Sequence, residues 1–183
     1  MDTPLFLGAL FIHLTSLVVG FGAVLTVDTI GLLWIFKRVE LSFVSRVAGI
    51  AQRLIWAGWC GLVLSGLVLI TLKGYVDSLT KIKLFFVVLL ALNGIFLEYI
   101  KRLFEELKDA KHIPARYLFR IGLASGISQL GWWGAMSIGF IHRHWKHNIP
   151  WPENPWAWMA AILTLIIAVA ITGEVIAHRH DAR

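Results

Sequence analysis

The feature that most constrains the fold is the first long apolar run, LFLGALFIHLTSLVVGFGAVLTVDTIGLLW, from Leu5 to Trp34. As a helix it would rise by about 45 Å, which exceeds the hydrocarbon core of about 30 Å. The run therefore predicts a transmembrane helix that is tilted or protrudes. Ionisable residues at membrane depth are costly and usually face a bundle interior, so His13 and Asp28 are predicted functional-site residues.

The composition excludes a soluble domain, because 58% of the 183 residues are hydrophobic and only 15% are charged. The net charge of +6 does not indicate a nucleic-acid partner. The basic residues flank apolar runs, where they reach lipid headgroups, and no aromatic-basic module is present. Cys60 is the single cysteine, which excludes an internal disulfide and a Cys-type metal motif.

Five apolar segments are each long enough to cross a bilayer. They cover about residues 4–36, 53–72, 82–100, 118–141 and 156–177. No internal repeat or low-complexity linker divides the chain. The sequence therefore predicts an all-α fold, in which residues 1–183 form a single domain of five transmembrane helices embedded in the lipid bilayer.

The distribution of lysine and arginine predicts the orientation of this bundle. An odd number of spans places the termini on opposite sides. Twelve of the 17 Lys+Arg residues lie on the side reached by the end of the first helix, and the other five are Lys73, Lys81, Lys83, Arg143 and Lys146. The positive-inside rule then puts the N-terminus outside and the C-terminus in the cytoplasm.

Histidines predict a site in the outer half of the bundle. His13 lies several turns from the outer end of the first helix, and His142, His144 and His147 close the fourth. Two imidazoles from different helices can ligate a haem iron, with His13, His142 and His144 as the candidates. His13, His142 and His147 are the candidates for copper or zinc. A Cys-x-x-Cys-His attachment motif is absent, so only non-covalent haem b is expected. In the alternative interpretation, His13 is a hydrogen-bonded packing residue and the other three histidines are solvated residues at the membrane interface.

A second group of polar residues falls mainly in the cytoplasmic half. It comprises Asp28, Arg53, Asn93, Glu98, Gln129, Glu174 and His178. Glu174 and His178 share a helix face at a spacing of four residues. Buried carboxylates can bind cations or relay protons. The alternative is a structural Asp28–Arg53 ion pair, with the other residues wetted by headgroups.

The pattern of His13, Gly20-Phe-Gly22, Asp28 and the basic stretch from Trp34 to Arg38, followed by a glycine-rich second span, carries a resemblance to known proteins. It resembles small bacterial inner-membrane proteins of unassigned function and, more distantly, the membrane domain of copper-resistance protein D. The resemblance implies a bacterial inner-membrane bundle and a haem or copper role for His13. With only three methionines and one cysteine, a soft-ligand path for Cu(I) is missing.

Three functions remain open at this point. The first is a b-type haem protein that passes electrons from a membrane quinol to an outer acceptor, with His13 and His142 as axial ligands. The second is a transporter or channel subunit for a proton, ion or small solute, with Asp28, Glu98 and Glu174 as an inner relay and His13 as an outer gate. The third is a structural subunit of a homo-oligomer or larger membrane complex. The sequence leaves open whether the protein is an enzyme.

Overall fold

The computed structural model describes residues 3–107, 113–145 and 154–182, and this part of the chain is all-α as predicted. Its helices are α1 (Pro4–Ile35), α2 (Leu41–Lys73), α3 (Ser78–Leu107), α4 (Ala115–His144) and α5 (Pro155–Asp181). Within it, α1, α2, the Ser78–Arg102 portion of α3, and α5 are long and apolar enough to cross a membrane. The glycines, serines and glutamine of α4 lower its hydropathy, and α4 is not among these four.

The connection between α1 and α2 is shorter than the apolar pattern predicts. α1 begins after Thr3, whose hydroxyl accepts the N–H of Phe6, and ends where Lys37 adopts a φ of 56°. The Arg38 N–H then donates to the Leu33 carbonyl at 2.8 Å, which closes the helix. α2 starts at Leu41 rather than at residue 53. The residues between these positions include no proline and one glycine, Gly49, and helical hydrogen bonding continues through the polar first turns.

The chain divides into two compact units, Met1–Val76 and Asp77–Arg183. The first consists of α1 packed against α2, and the second of α3, α4 and α5 packed against one another. Ile82, Phe86, Leu89 and Met159 form the apolar core of the second unit, and Trp132 is buried there at 1% exposure. The prediction that residues 1–183 form one domain stays a prediction.

Three close contacts fix the register of α1 against α2. A Cβ added at Gly58 would meet the Gly20 backbone, one added at Gly61 would meet the Ser16 side chain, and His13 contacts Ser65. The two residue numbers of each pair total 77 or 78, so the helices run antiparallel without a shift. Small residues at these positions let the backbones approach closely, as they do in membrane bundles generally.

Candidate functional site

His13 is held at the α1–α2 contact by a hydrogen bond. Its Nδ1 lies 3.0 Å from the Ser65 hydroxyl oxygen, and that hydroxyl also lies 2.5 Å from the Gly61 carbonyl one turn earlier. Gly66 lies beside the ring, since a Cβ there would be 3.5 Å from His13 Cε1. Ser65 is buried, and His13 is half-buried. The imidazole of His13, predicted as a functional residue of the first helix, is therefore held in position by Ser65.

The fourth-helix histidines belong to the second unit. His142 Nε2 lies 2.9 Å from Asp77 Oδ2, and both side chains are about one-fifth exposed. The other oxygen of Asp77 accepts the backbone N–H of Thr80 at 2.8 Å. This carboxylate therefore caps the start of α3 and links it to His142 at the end of α4. The exposed His144 ring lies against Phe140, with centroids 4.8 Å apart. His147 lies outside the described residues.

Asn93 is the buried polar centre of the second unit, with 5% of its surface exposed. Its Nδ2 donates to the Ala124 carbonyl at 2.8 Å and to the Ser128 hydroxyl at 2.9 Å. Within the described residues its Oδ1 is buried and has no hydrogen-bond partner. The two donated bonds fix the orientation of the amide, because turning it over would place an oxygen against the Ala124 carbonyl oxygen.

Two ion pairs join the start of α4 to the end of α5. Arg120 binds both carboxylate oxygens of Glu174 through one edge of the guanidinium, with a 3.1 Å bond from Nε to Oε2 and a second bond from Nη2 to Oε1. Asp181 accepts the backbone N–H of Ala115 at 2.6 Å and lies 4.0 Å from Arg116 Nε. Glu174 therefore acts as the partner of a fixed arginine. A bidentate pair of this kind adds geometric specificity as well as energy.

The remaining predicted relay residues differ in exposure. Asp28 and Glu98 are half-buried, whereas Arg53 and His178 are exposed. By the register of the first unit, Asp28 lies level with the residues around position 50 of α2. Gln129 accepts a hydrogen bond from the Trp133 indole at 3.1 Å, within α4 itself. The Asp28–Arg53 pair stays a prediction.

The structure adds partners that the sequence interpretation missed. They are Ser65 for His13, Asp77 for His142, Ser128 for Asn93, and Arg120 for Glu174. One signal was available for the last pair: Arg120 opens the fourth apolar segment and Glu174 closes the fifth, so antiparallel helices bring them to one level. The serines carried no comparable signal, because either could have faced any neighbour.

In the described part of the chain, no group of three or more histidine, cysteine, aspartate or glutamate side chains is arranged to hold a metal ion. His13 and His142 belong to different units, and their joint ligation of an iron stays a prediction. Comparison with known proteins gives no family assignment, since no family model, no curated protein and no solved structure matches this chain.

Proposed function

We propose that this chain is a multi-pass protein of a bacterial inner membrane, with five spans, an outer N-terminus and a cytoplasmic C-terminus. Four apolar helices support the membrane location. The excess of lysine and arginine beside the end of the first helix supports the orientation. In this arrangement, α4 also crosses the membrane, in addition to the four apolar helices. It packs against both α3 and α5.

Reporter fusions test this topology. Alkaline phosphatase, which is active only outside the cytoplasm, and a fluorescent protein, which folds inside it, are fused after Phe36, Gly74 and Arg183. We expect fluorescence at Phe36 and Arg183 and phosphatase activity at Gly74. Fluorescence at Gly74 together with phosphatase activity at Arg183 would reverse the orientation, and phosphatase activity at both Gly74 and Arg183 would mean an even number of spans.

We further propose that the protein binds haem b through His13 and passes electrons from a membrane quinol to an acceptor outside. The observation that carries this proposal is the hydrogen bond between His13 Nδ1 and the Ser65 hydroxyl. Histidines that ligate a metal generally have one ring nitrogen on the metal and the other hydrogen-bonded, which fixes the ring plane and raises the basicity of the ligand. His13 has such a hydrogen bond at Nδ1. A haem iron held there would alternate between its ferric and ferrous forms.

The second axial ligand is expected from the outer histidines His142, His144 and His147. The structure distinguishes the first two. Ligation by His142 Nε2 would have to replace the hydrogen bond to Asp77, whereas His144 is exposed and has no described carboxylate contact. His13 is therefore the residue on which the haem proposal depends, and the identity of its counterpart is a separate question.

An absorption spectrum of the detergent-purified protein, oxidised in air and then reduced with dithionite, tests the haem proposal. Haem is supplied during expression. We expect a Soret band that shifts on reduction, and we expect its loss in His13→Ala. His178→Ala is the matched control, because His178 is an exposed histidine of α5. A colourless wild-type protein, or a His13→Ala spectrum equal to the wild type, would exclude this site.

A second candidate function, transport of a proton, ion or small solute, is favoured by the buried Asn93 oxygen that lacks a described donor. A buried acceptor of this kind costs about 1–3 kcal/mol unless something binds it. Asp28 and Glu98 would then serve as the relay, and Glu174 would be restrained by Arg120. Flux into liposomes, compared between wild type and Asp28→Asn, distinguishes the two functions. Equal flux in both would exclude Asp28 as a relay.

A further inference from the structure

The Ser65 hydroxyl takes part in two short hydrogen bonds with one proton to give. Its oxygen lies 2.5 Å from the carbonyl oxygen of Gly61 and 3.0 Å from His13 Nδ1. A third oxygen, the carbonyl of Leu62, is 3.4 Å away and contributes at most a weak branch. A hydroxyl carries one proton and two lone pairs. The location of that proton therefore determines which ring nitrogen of the neutral imidazole carries a hydrogen.

The shorter distance locates the proton. Two oxygens separated by 2.5 Å repel each other unless a proton lies between them, and a carbonyl has none to supply. The Ser65 hydroxyl must therefore donate to Gly61. With its proton engaged, Ser65 can only accept at the other contact. His13 Nδ1 must then carry a hydrogen and donate it to the Ser65 oxygen.

We propose that Ser65 is a positioning residue, which holds neutral His13 in the tautomer protonated at Nδ1 and thereby makes Nε2 the nitrogen that binds a metal. The identification of that metal as haem iron rests on the function proposed above. The tautomer does not, because it follows from the distances among Gly61, Ser65 and His13 alone. A hydrogen-bonded chain, from imidazole to hydroxyl to backbone carbonyl, connects the ligand to the rigid framework of α2.

The surroundings of Ser65 leave this chain little freedom. Ser65 is 4% exposed, so water does not compete for its hydroxyl. The backbone of α2 is held against α1 at Gly58 and Gly61, where a Cβ would overlap the Gly20 backbone and the Ser16 side chain. These contacts lie one and two turns from the hydrogen bond in the same antiparallel register, so they fix the separation of the two helices next to Ser65 and His13.

Nitrogen-15 NMR of histidine-labelled protein, prepared without haem and at a pH where the imidazole is neutral, tests the proposal. The two tautomers differ in which ring nitrogen shows the protonated shift. The signal of His13 is identified by its loss in His13→Ala. We expect the protonated shift at Nδ1 in the wild type. In Ser65→Ala we expect a mixture of tautomers, and in Ser65→Thr we expect recovery of the wild-type pattern, because threonine retains a hydroxyl that can bond to the carbonyl one turn earlier.

Ser125→Ala is the control, since Ser125 lies on α4 in the other unit. It should leave the His13 signal unchanged. A wild-type signal protonated at Nε2 would overturn the proposal, and so would an Nδ1 signal that persists unchanged in Ser65→Ala. If Ser65→Ala only loosened the contact between the helices, Ser65→Thr would not be expected to restore the Nδ1-protonated pattern that Ser65→Ala loses.

A second measurement separates this proposal from the haem proposal. Haem is titrated into the wild type and Ser65→Ala, and the loss of the hydrogen bond should weaken binding by about 10–100-fold. A protein that binds no haem but shows the Nδ1 tautomer would retain the role of Ser65 and exclude the haem function. Equal haem affinity in both proteins would overturn the positioning role even if haem binds at His13.

Discussion

Gly58 and Gly20 meet backbone to backbone: a Cβ at Gly58 would lie 2.6 Å from the Gly20 Cα atom. The contact belongs to the same register as the hydrogen bond between His13 and Ser65. Gly20 lies about two turns after His13 on α1. The approach of the two helices therefore brings the imidazole within reach of a hydroxyl on the neighbouring helix. The geometry of the candidate site depends on two residues that have no side chain.

The first prediction concerns this contact. Gly58→Ala should destabilise the protein by about 1–3 kcal/mol, because the added methyl meets rigid backbone rather than the end of a flexible side chain. The measurement is unfolding in mixed detergent micelles, followed by circular dichroism. Gly22→Ala on α1 is the control, since a Cβ there would meet nothing within 4 Å. It should be neutral or slightly stabilising. Equal stability of the two variants would contradict the described packing.

The second prediction concerns the buried amide of the second unit. Asn93 and Ser128 should show a coupling free energy of about 0.5–1.5 kcal/mol in a double-mutant cycle with alanine, a typical value for a hydrogen bond between membrane helices. The cycle is measured by the same unfolding assay. Asn93 with Ser125 is the control cycle and should be additive. Additivity in both cycles would show that the bond at 2.9 Å contributes no net stability.

The third prediction separates a structural role of Glu174 from a relay role. Arg120→Ala should cost about 1–3 kcal/mol, since it leaves a half-buried carboxylate without its bidentate partner. The exchanged pair, Arg120→Glu with Glu174→Arg, should recover at least half of the loss seen in either single exchange. Arg179→Ala, at an exposed position on α5, is the control and should change stability little. Failure of the exchanged pair to recover stability would contradict a structural pair.

The fourth prediction concerns the cap that Asp77 provides. Asp77→Ala should destabilise the protein by about 1–2 kcal/mol, because it removes the acceptor of the Thr80 N–H and the partner of His142 together. Thermal unfolding in detergent is the measurement. Glu40→Ala is the matched control: Glu40 precedes α2 in the same way, but its side chain makes no cap hydrogen bond. A larger loss for Glu40→Ala than for Asp77→Ala would reverse this assignment.

The helices themselves could be predicted from the sequence because hydrophobicity is a local property. Each of the five predicted apolar segments coincides with one helix, and all lie within their helices except the first, which runs one residue past Ile35. The boundaries were less accurate. α2 begins twelve residues before the predicted position 53, since hydropathy measures the membrane-crossing part of a helix and not its polar continuation.

The sequence also marked the residues whose polarity is costly in an apolar run, namely His13, Asp28, Asn93 and Glu174. The free-energy cost of burying a polar side chain shows that the residue needs a partner, but it does not identify that partner. Asn93 was predicted as part of a relay, and the structure shows an amide that ties α3 to α4. Glu174 was grouped with His178 on its own helix, and its bidentate partner is Arg120 on α4.

By itself, then, the sequence determined that this protein is helical, that its helices are apolar enough to cross a membrane, and which polar residues need an explanation. Only the tertiary structure decided how those residues pair, because partners on different helices are set by register and by the distance of closest approach. Where Gly58 meets Gly20, one methyl group more would separate α1 from α2. The distance between Ser65 and His13 depends on that separation, and no local pattern in the chain records it.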